Sequence, residues 1–285
     1  MSNFHNKPST FVSQVNVKVE DLQRSLKFYQ EIIGFHVLRE TGTSAVLTAD
    51  GKTPLVNLEQ PEHVKKKEPR KTGLYHFALL LPTRKDLGMF INHIVQKRYP
   101  IQGGSDHTVS EALYLADPDD NGIEVYVDRP ASTWAWEDQF VSMGNKRLDI
   151  DGLIAEANNE TWTGLPVGTI MGHIHLHVND LEKAERFYCD GLGFELVMSF
   201  HKQAIFLSTG SYHHHIGANV WNGTNATIPS SNSVGLSHYT IVYPSADTRS
   251  EAIDRVRKLG YDVMVRNEVV ETIDPSGNKI QLLLS

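Results

Sequence analysis

Six of the 14 histidines in this 285-residue chain fall in two short clusters. Imidazole is the side chain best suited to hold a metal ion or carry a proton near neutral pH. In Gly172-His-Ile-His-Leu-His-Val-Asn-Asp180 the histidines alternate with other residues, so a regular strand puts His173, His175 and His177 on one face. One of them, with His175 as the candidate, then lines a pocket. In Tyr212-His-His-His-Ile-Gly217 three histidines are consecutive, and the segment reads either as a polar strand end in solvent or as the source of a proton-transfer group. A strand histidine is ordinarily a hydrogen-bonded core residue, so a chemical role depends on what else is brought beside it.

The elements that do the positioning are repeated. Val19 to Phe35, reading VEDLQRSLKFYQEIIGF, recurs as Val178 to Phe194, reading VNDLEKAERFYCDGLGF, at a constant offset of 178 − 19 = 159. Gly73-Leu-Tyr-His76 recurs as Gly235-Leu-Ser-His238, and Asp117-Pro-Asp-Asp-Asn-Gly-Ile-Glu124 as Asp274-Pro-Ser-Gly-Asn-Lys-Ile-Gln281. Four modules in two pairs follow. In the first, Val15, Val17 and Val19 alternate as in a half-buried strand, Asp21 caps a helix with Leu22, Leu26, Tyr29 and Ile33 on one face, and Gly34 ends it. Apolar runs at Ala45 to Leu47 and Leu55 to Leu58 complete a βαβββ pattern. The third module repeats the pattern with Leu181, Tyr188 and Leu192, and the fourth places Ile253, Val256 and Leu259 on its helix.

An α+β protein is expected, with residues 1–128 and 169–285 each holding a module pair curled around its own cleft. Residues 129–168, rich in Trp, Asn and Thr, form a connecting segment with a short helix at Ile150 to Ala157. The net charge of −7 is made of interspersed signs, and the basic run of Lys65 to Lys67 with Arg70 and Lys71 reads as a solvated loop. Neither a nucleic-acid surface nor a membrane partner is expected. No apolar run is long enough to cross a bilayer, the N-terminus has no signal-peptide core, and Cys189 has no second cysteine to pair with. These features point to a soluble cytoplasmic protein, and they leave a homo-oligomer open.

Four βαβββ modules with these helix and hairpin signatures resemble the vicinal oxygen chelate superfamily over nearly the whole chain. The histidine-rich opening of the third module makes it most similar to extradiol ring-cleaving dioxygenases of the catechol 2,3-dioxygenase type. That resemblance implies iron(II) held by two His and one Glu in the C-terminal half, with a further His and a Tyr nearby. His173 and His238 stand at the two histidine positions. The additional His best matches His214, with His213 and His215 as alternatives. Gln281 stands where the carboxylate ligand belongs, and Glu271 where the Tyr belongs.

Glu271 and Gln281 lie five residues either side of Ser276, so an in-register hairpin pairs them across the strands. A relocated set of His173, His238 and Glu271, with Gln281 as a fourth ligand, is therefore the first expectation. The N-terminal half offers another: His76, Tyr114 and Glu124 fit the family's His, Tyr and Glu positions, with Gln14 as the module-one partner. Gln14, His76 and Glu124 also resemble part of the glyoxalase I ligand set, whose remaining carboxylate position points to Asn57 or Glu59.

The resemblance implies cleavage of a small catechol-type aromatic with O2, iron(II) as cofactor and His214 as the proton-transfer residue. Manganese, zinc or nickel would suit the alternative, a glyoxalase-type isomerase or lyase. A third reading is a binding protein without catalysis, because one fold serves many functions.

Overall fold

The computed structural model describes residues 4–285. Its four modules form two curved sheets. The eight-stranded sheet runs Val263–Arg266, Val269–Ile273, Lys279–Leu284, Gly235–Tyr243, Phe11–Lys18, Pro54–Glu59, Ser44–Thr48, His36–Glu40. The nine-stranded sheet runs Lys146–Arg147, Gly103–Asp106, Ser110–Ala116, Gly122–Asp128, Gly73–Leu80, Ile170–His177, Ile216–Asn219, Ala204–Ser208, Glu195–Phe200. Each module's opening strand lies parallel to its own last strand, the connection a βαβββ unit requires.

The opening strands meet antiparallel at the centre of each sheet, and here the expectation from sequence needs correction. Phe11–Lys18 of module one pairs with Gly235–Tyr243 of module four, and Gly73–Leu80 of module two pairs with Ile170–His177 of module three. Each cleft is therefore shared between the halves of the chain; neither half closes one by itself. All four opening strands carry similar alternation, so nothing local in them selects the partner.

The consecutive modules are joined instead through their helices. The helix Leu22–Phe28 begins on an Asp21 side chain that accepts from the Arg24 amide at 2.9 Å, and it continues into a π-helical turn, Tyr29–Ile33. That turn delivers Tyr29 to module two, where its hydroxyl donates to Asp117 Oδ2 at 3.0 Å. Tyr188, in the equivalent turn of module three, donates to Asp274 Oδ2 of module four at 2.9 Å. The repeated Phe-Tyr and Asp-Pro signatures thus meet as a buried clamp, in which burial raises both aspartate pKa values. Gly34 ends the first helix at φ 96°, and a Cβ there would lie 2.6 Å from Gly164 Cα of the connecting segment.

That segment packs across module two. Its helix Ile150–Glu156 lies against Arg84–Lys97, and Lys146–Arg147 extends the edge of the nine-stranded sheet beyond Gly103–Asp106. The helices and one face of both sheets enclose a single apolar cluster containing Val15, Tyr29, Phe77, Phe90, Ile174 and Tyr239. The other, concave face of each sheet carries the polar candidates, and in the nine-stranded sheet also a small apolar cluster of Ala78, Leu80, Ala112 and Tyr126. Among the described residues no helix is long and apolar enough to cross a membrane.

Candidate metal centre

Three adjacent strands at the middle of the nine-stranded sheet bring together His76, Glu124 and His173. Alternation along Ile170–His177 sends Ile174 and Leu176 into the apolar cluster and His173 and His175 to the concave face. One ligand atom from each of His76, Glu124 and His173 lies within 4.8 Å of the others. His76 Nε2 is 3.0 Å and His173 Nε2 3.1 Å from the same oxygen, Glu124 Oε2. The three residues are 5%, 3% and 1% exposed.

Electrostatics prepare this set for a cation. Burial lowers the His173 pKa to about 4 despite the neighbouring Glu124, so its ring is neutral near pH 7. Burial alone would raise Glu124, but His173 and His76 outweigh it and hold the carboxylate well below its usual range. Imidazoles beside a buried carboxylate are the donor types that borderline divalent metals take. The nitrogens also show the fit: His76 Nε2 is buried and aimed at the carboxylate but makes no hydrogen bond there, and buried His175 Nε2 has no partner.

A cavity of about 550 Å³ opens on His76 and Glu124. Tyr114, His175 and His214 line it with His76 and Glu124, and Met198, Phe200, Phe206 and Trp221 supply an apolar and aromatic wall. Tyr114 is the cross-strand partner of Glu124, and burial together with that carboxylate keeps its phenol pKa well above 10. Its oxygen lies 2.7 Å from His107 Nε2, while His107 Nδ1 meets the Gly144 carbonyl at 2.9 Å. The His214 ring centroid is 4.1 Å from that of His173, and burial followed by the surrounding histidines pushes its pKa well below 6.5. Gly172 makes room beside His173, since a Cβ there would lie 1.9 Å from the Tyr126 hydroxyl.

The structure divides the ligand sets expected from sequence. His173 is at the centre, but His238, Glu271 and Gln281 lie in the other sheet. His238 Nε2 is 2.6 Å from the Asn16 amide nitrogen, and Gln281 donates to Glu271 Oε1 at 3.0 Å as the in-register pair the hairpin predicts. That pair is satisfied within its own hairpin and takes no part in the His173 cluster. Gln14 is likewise removed from His76 and Glu124: it pairs with Thr240 in the eight-stranded sheet, which also carries Asn57 and Glu59. The assembled centre takes His76 and Glu124 from one expected set and His173 from the other. The cause in both cases is the cross-pairing of modules.

A family model for the glyoxalase/bleomycin resistance protein/dioxygenase superfamily matches residues 12–125 and 170–282. The chain belongs to this superfamily. Its two repeated superfamily domains coincide with the two sequence repeats, even though their sheets interlock. A catechol-2,3-dioxygenase of Bacillus subtilis (strain 168) is 46% identical over 270 residues, covering 93% of this chain and 94% of the relative. Biphenyl-2,3-diol 1,2-dioxygenase 3 of Rhodococcus globerulus is 30% identical over 128 residues, covering 43% of this chain and 63% of the relative. Among solved structures, glyoxalase I from Zea mays shares the superfamily fold at a TM-score of 0.60 and 17% identity, covering 96% of this chain and 92% of that one.

His107, Tyr126 and Asp128 border the centre without having been singled out from sequence. His107 lies in the turn between two strands, and only its spacing of seven residues from Tyr114 ties it to the site.

Proposed function

We propose that the protein is an extradiol ring-cleaving dioxygenase that acts on a small catechol-type aromatic with O2. The observation that carries this reading is the meeting of His76, His173 and Glu124 in one buried cluster, beside a cavity lined by His76, Glu124, His214 and Tyr114. The likeness to a catechol-2,3-dioxygenase along nearly all of both chains supports it.

His76, His173 and Glu124 would hold iron(II) as two imidazoles and one carboxylate. When bound, the metal would supply the redox chemistry between a catechol and O2. The remaining work falls to the chain. Phe200, Phe206 and Trp221 offer an aromatic wall against which a flat ring can pack. His214, uncharged because it is buried among histidines, accepts the proton of a catechol hydroxyl and returns it later in the cycle. Tyr114 stays protonated and donates to His107 Nε2 at the cavity wall, which leaves its oxygen lone pairs to face the cavity. The single cysteine suits a reducing compartment, and we place the enzyme in the cytoplasm.

Anaerobic purification, metal analysis and an assay with catechol and O2 test the reading together. Iron with oxygen uptake and a yellow ring-fission product is the expected outcome. Nickel or zinc without oxygen uptake would assign glyoxalase-type chemistry instead, and an intact protein that takes up no metal would leave a binding function.

A further inference from the structure

His213, fully buried behind the cavity wall, touches a different partner with each ring nitrogen. Its Nε2 is 2.8 Å from Asp128 Oδ1, and its Nδ1 is 2.8 Å from Nδ1 of His214. Tyr212 donates to the same Asp128 oxygen at 3.3 Å, and its own hydroxyl is 2.7 Å from that of Tyr126. A continuous hydrogen-bonded line therefore runs from Asp128, 18% exposed at its side chain, through His213 to His214 at the cavity.

Proton accounting along that line has one solution while His213 is neutral. A carboxylate only accepts, so His213 Nε2 must carry the hydrogen that points to Asp128. His213 Nδ1 is then a lone pair, and the 2.8 Å contact requires the hydrogen to sit on His214 Nδ1. His214 Nε2 is left as a bare lone pair.

We infer that Asp128 and His213 are positioning residues that fix the tautomer of His214, so that the cavity meets a proton acceptor at Nε2 and not a donor. The inference rests on the proposed function in assigning His214 the task of accepting a substrate proton. When His214 takes that proton, its Nδ1–H still donates to His213 and His213 still donates to Asp128. The carboxylate then stabilises the new positive charge from two rings away, without occupying space in the cavity. Tyr212 helps hold the carboxylate oriented for this task.

Asp128→Asn is the decisive variant. The asparagine amide can donate to His213 Nε2, which moves the His213 hydrogen to Nδ1 and the His214 hydrogen to Nε2. Long-range proton–nitrogen NMR of the metal-free protein reads the tautomers directly. The expected result is an Nδ1-protonated His214 in the parent and an Nε2-protonated one in Asp128→Asn. With metal restored to parental content, kcat for catechol should fall by about 10²–10⁴, the usual worth of a positioned base, while KM moves far less. Asp128→Glu should retain the parental tautomer and rescue most of kcat. An Nε2-protonated His214 in the parent, or an Asp128→Asn variant with unchanged tautomer or unchanged kcat, overturns the inference. The expected tautomers and their reversal support it even where no ring cleavage is detected; in that case the functional reading has failed and the positioning has not.

Discussion

Glu124 and His173 belong to different halves of the chain and meet at 3.1 Å in the centre of one sheet. Neither half alone can assemble the candidate cluster, because the strands that carry these residues are joined only through Gly73–Leu80 between them. The following outcomes are expected from that arrangement.

His76→Ala, Glu124→Gln and His173→Ala should each lower metal affinity more than about 100-fold, exceeding the effect typical of residues that only support a ligand. His238→Ala and Glu271→Gln should leave metal content at the parental value, and the parent should hold one ion per chain. Metal analysis after dialysis against graded chelator decides this. Loss of the metal in His238→Ala with retention in His76→Ala would place the centre in the other sheet.

Gln281→Glu tests the hairpin that sequence reasoning took for a ligand pair. Gln281 donates to Glu271 across the ladder, so a glutamate there sets two carboxylates face to face. The expected cost is about 0.2–1 kcal/mol, seen as a lower denaturation midpoint, with no gain in metal binding. A second bound ion in this variant would contradict the assignment.

Acid should weaken the metal-free fold in a defined window. The His173 pKa falls from 6.5 to about 4 on burial, and His175, His214 and His215 shift in the same direction. Between these values the unfolded chain binds protons that the native chain refuses, so stability is full above pH 6.5 and declines as pH falls toward 4. His173 alone accounts for about 3 kcal/mol of that loss. Urea midpoints of the metal-free protein at a series of pH values measure it. A midpoint that stays level from pH 7 to 4.5 would show that these rings are not held neutral.

The modules themselves were legible because their signals are local. Asp21 and Asp180 cap helices as their spacing predicts, Gly34 ends one with positive φ, and alternating histidines do share a face. Which module faces which was hidden, since the pairing of Ile170–His177 with Gly73–Leu80 depends on contacts about a hundred residues apart and four similar strands compete for it. Sequence alone groups His76 and Glu124 apart from His173 by position in the chain, whereas the sheet brings the three together. The histidine run was obscure for another reason. Residues 213–215 lie in an irregular stretch before Ile216–Asn219, and their rings turn separately to Asp128, to the cavity, and to Ser208 with the Phe4 carbonyl. No periodicity could have sorted them.

The interlocking of the halves also bears on how such a chain can change over time. Two separate copies of a two-module protein, exchanging modules in a symmetric pair, would carry the same side chains in both clefts, and every mutation would appear twice. Once the copies are covalently fused, each cleft draws on its own codons: His76, Glu124 and His173 in one, His238, Gln281 and Gln14 in the other. Side chains in one sheet are then free to vary while the other keeps His76, Glu124 and His173 together. Yet neither half of the gene can be discarded, because the module beside each retained strand is encoded in the opposite half. The sheet that carries His238 and Gln281 thus remains tied by the backbone to the sheet that brings His76, Glu124 and His173 together.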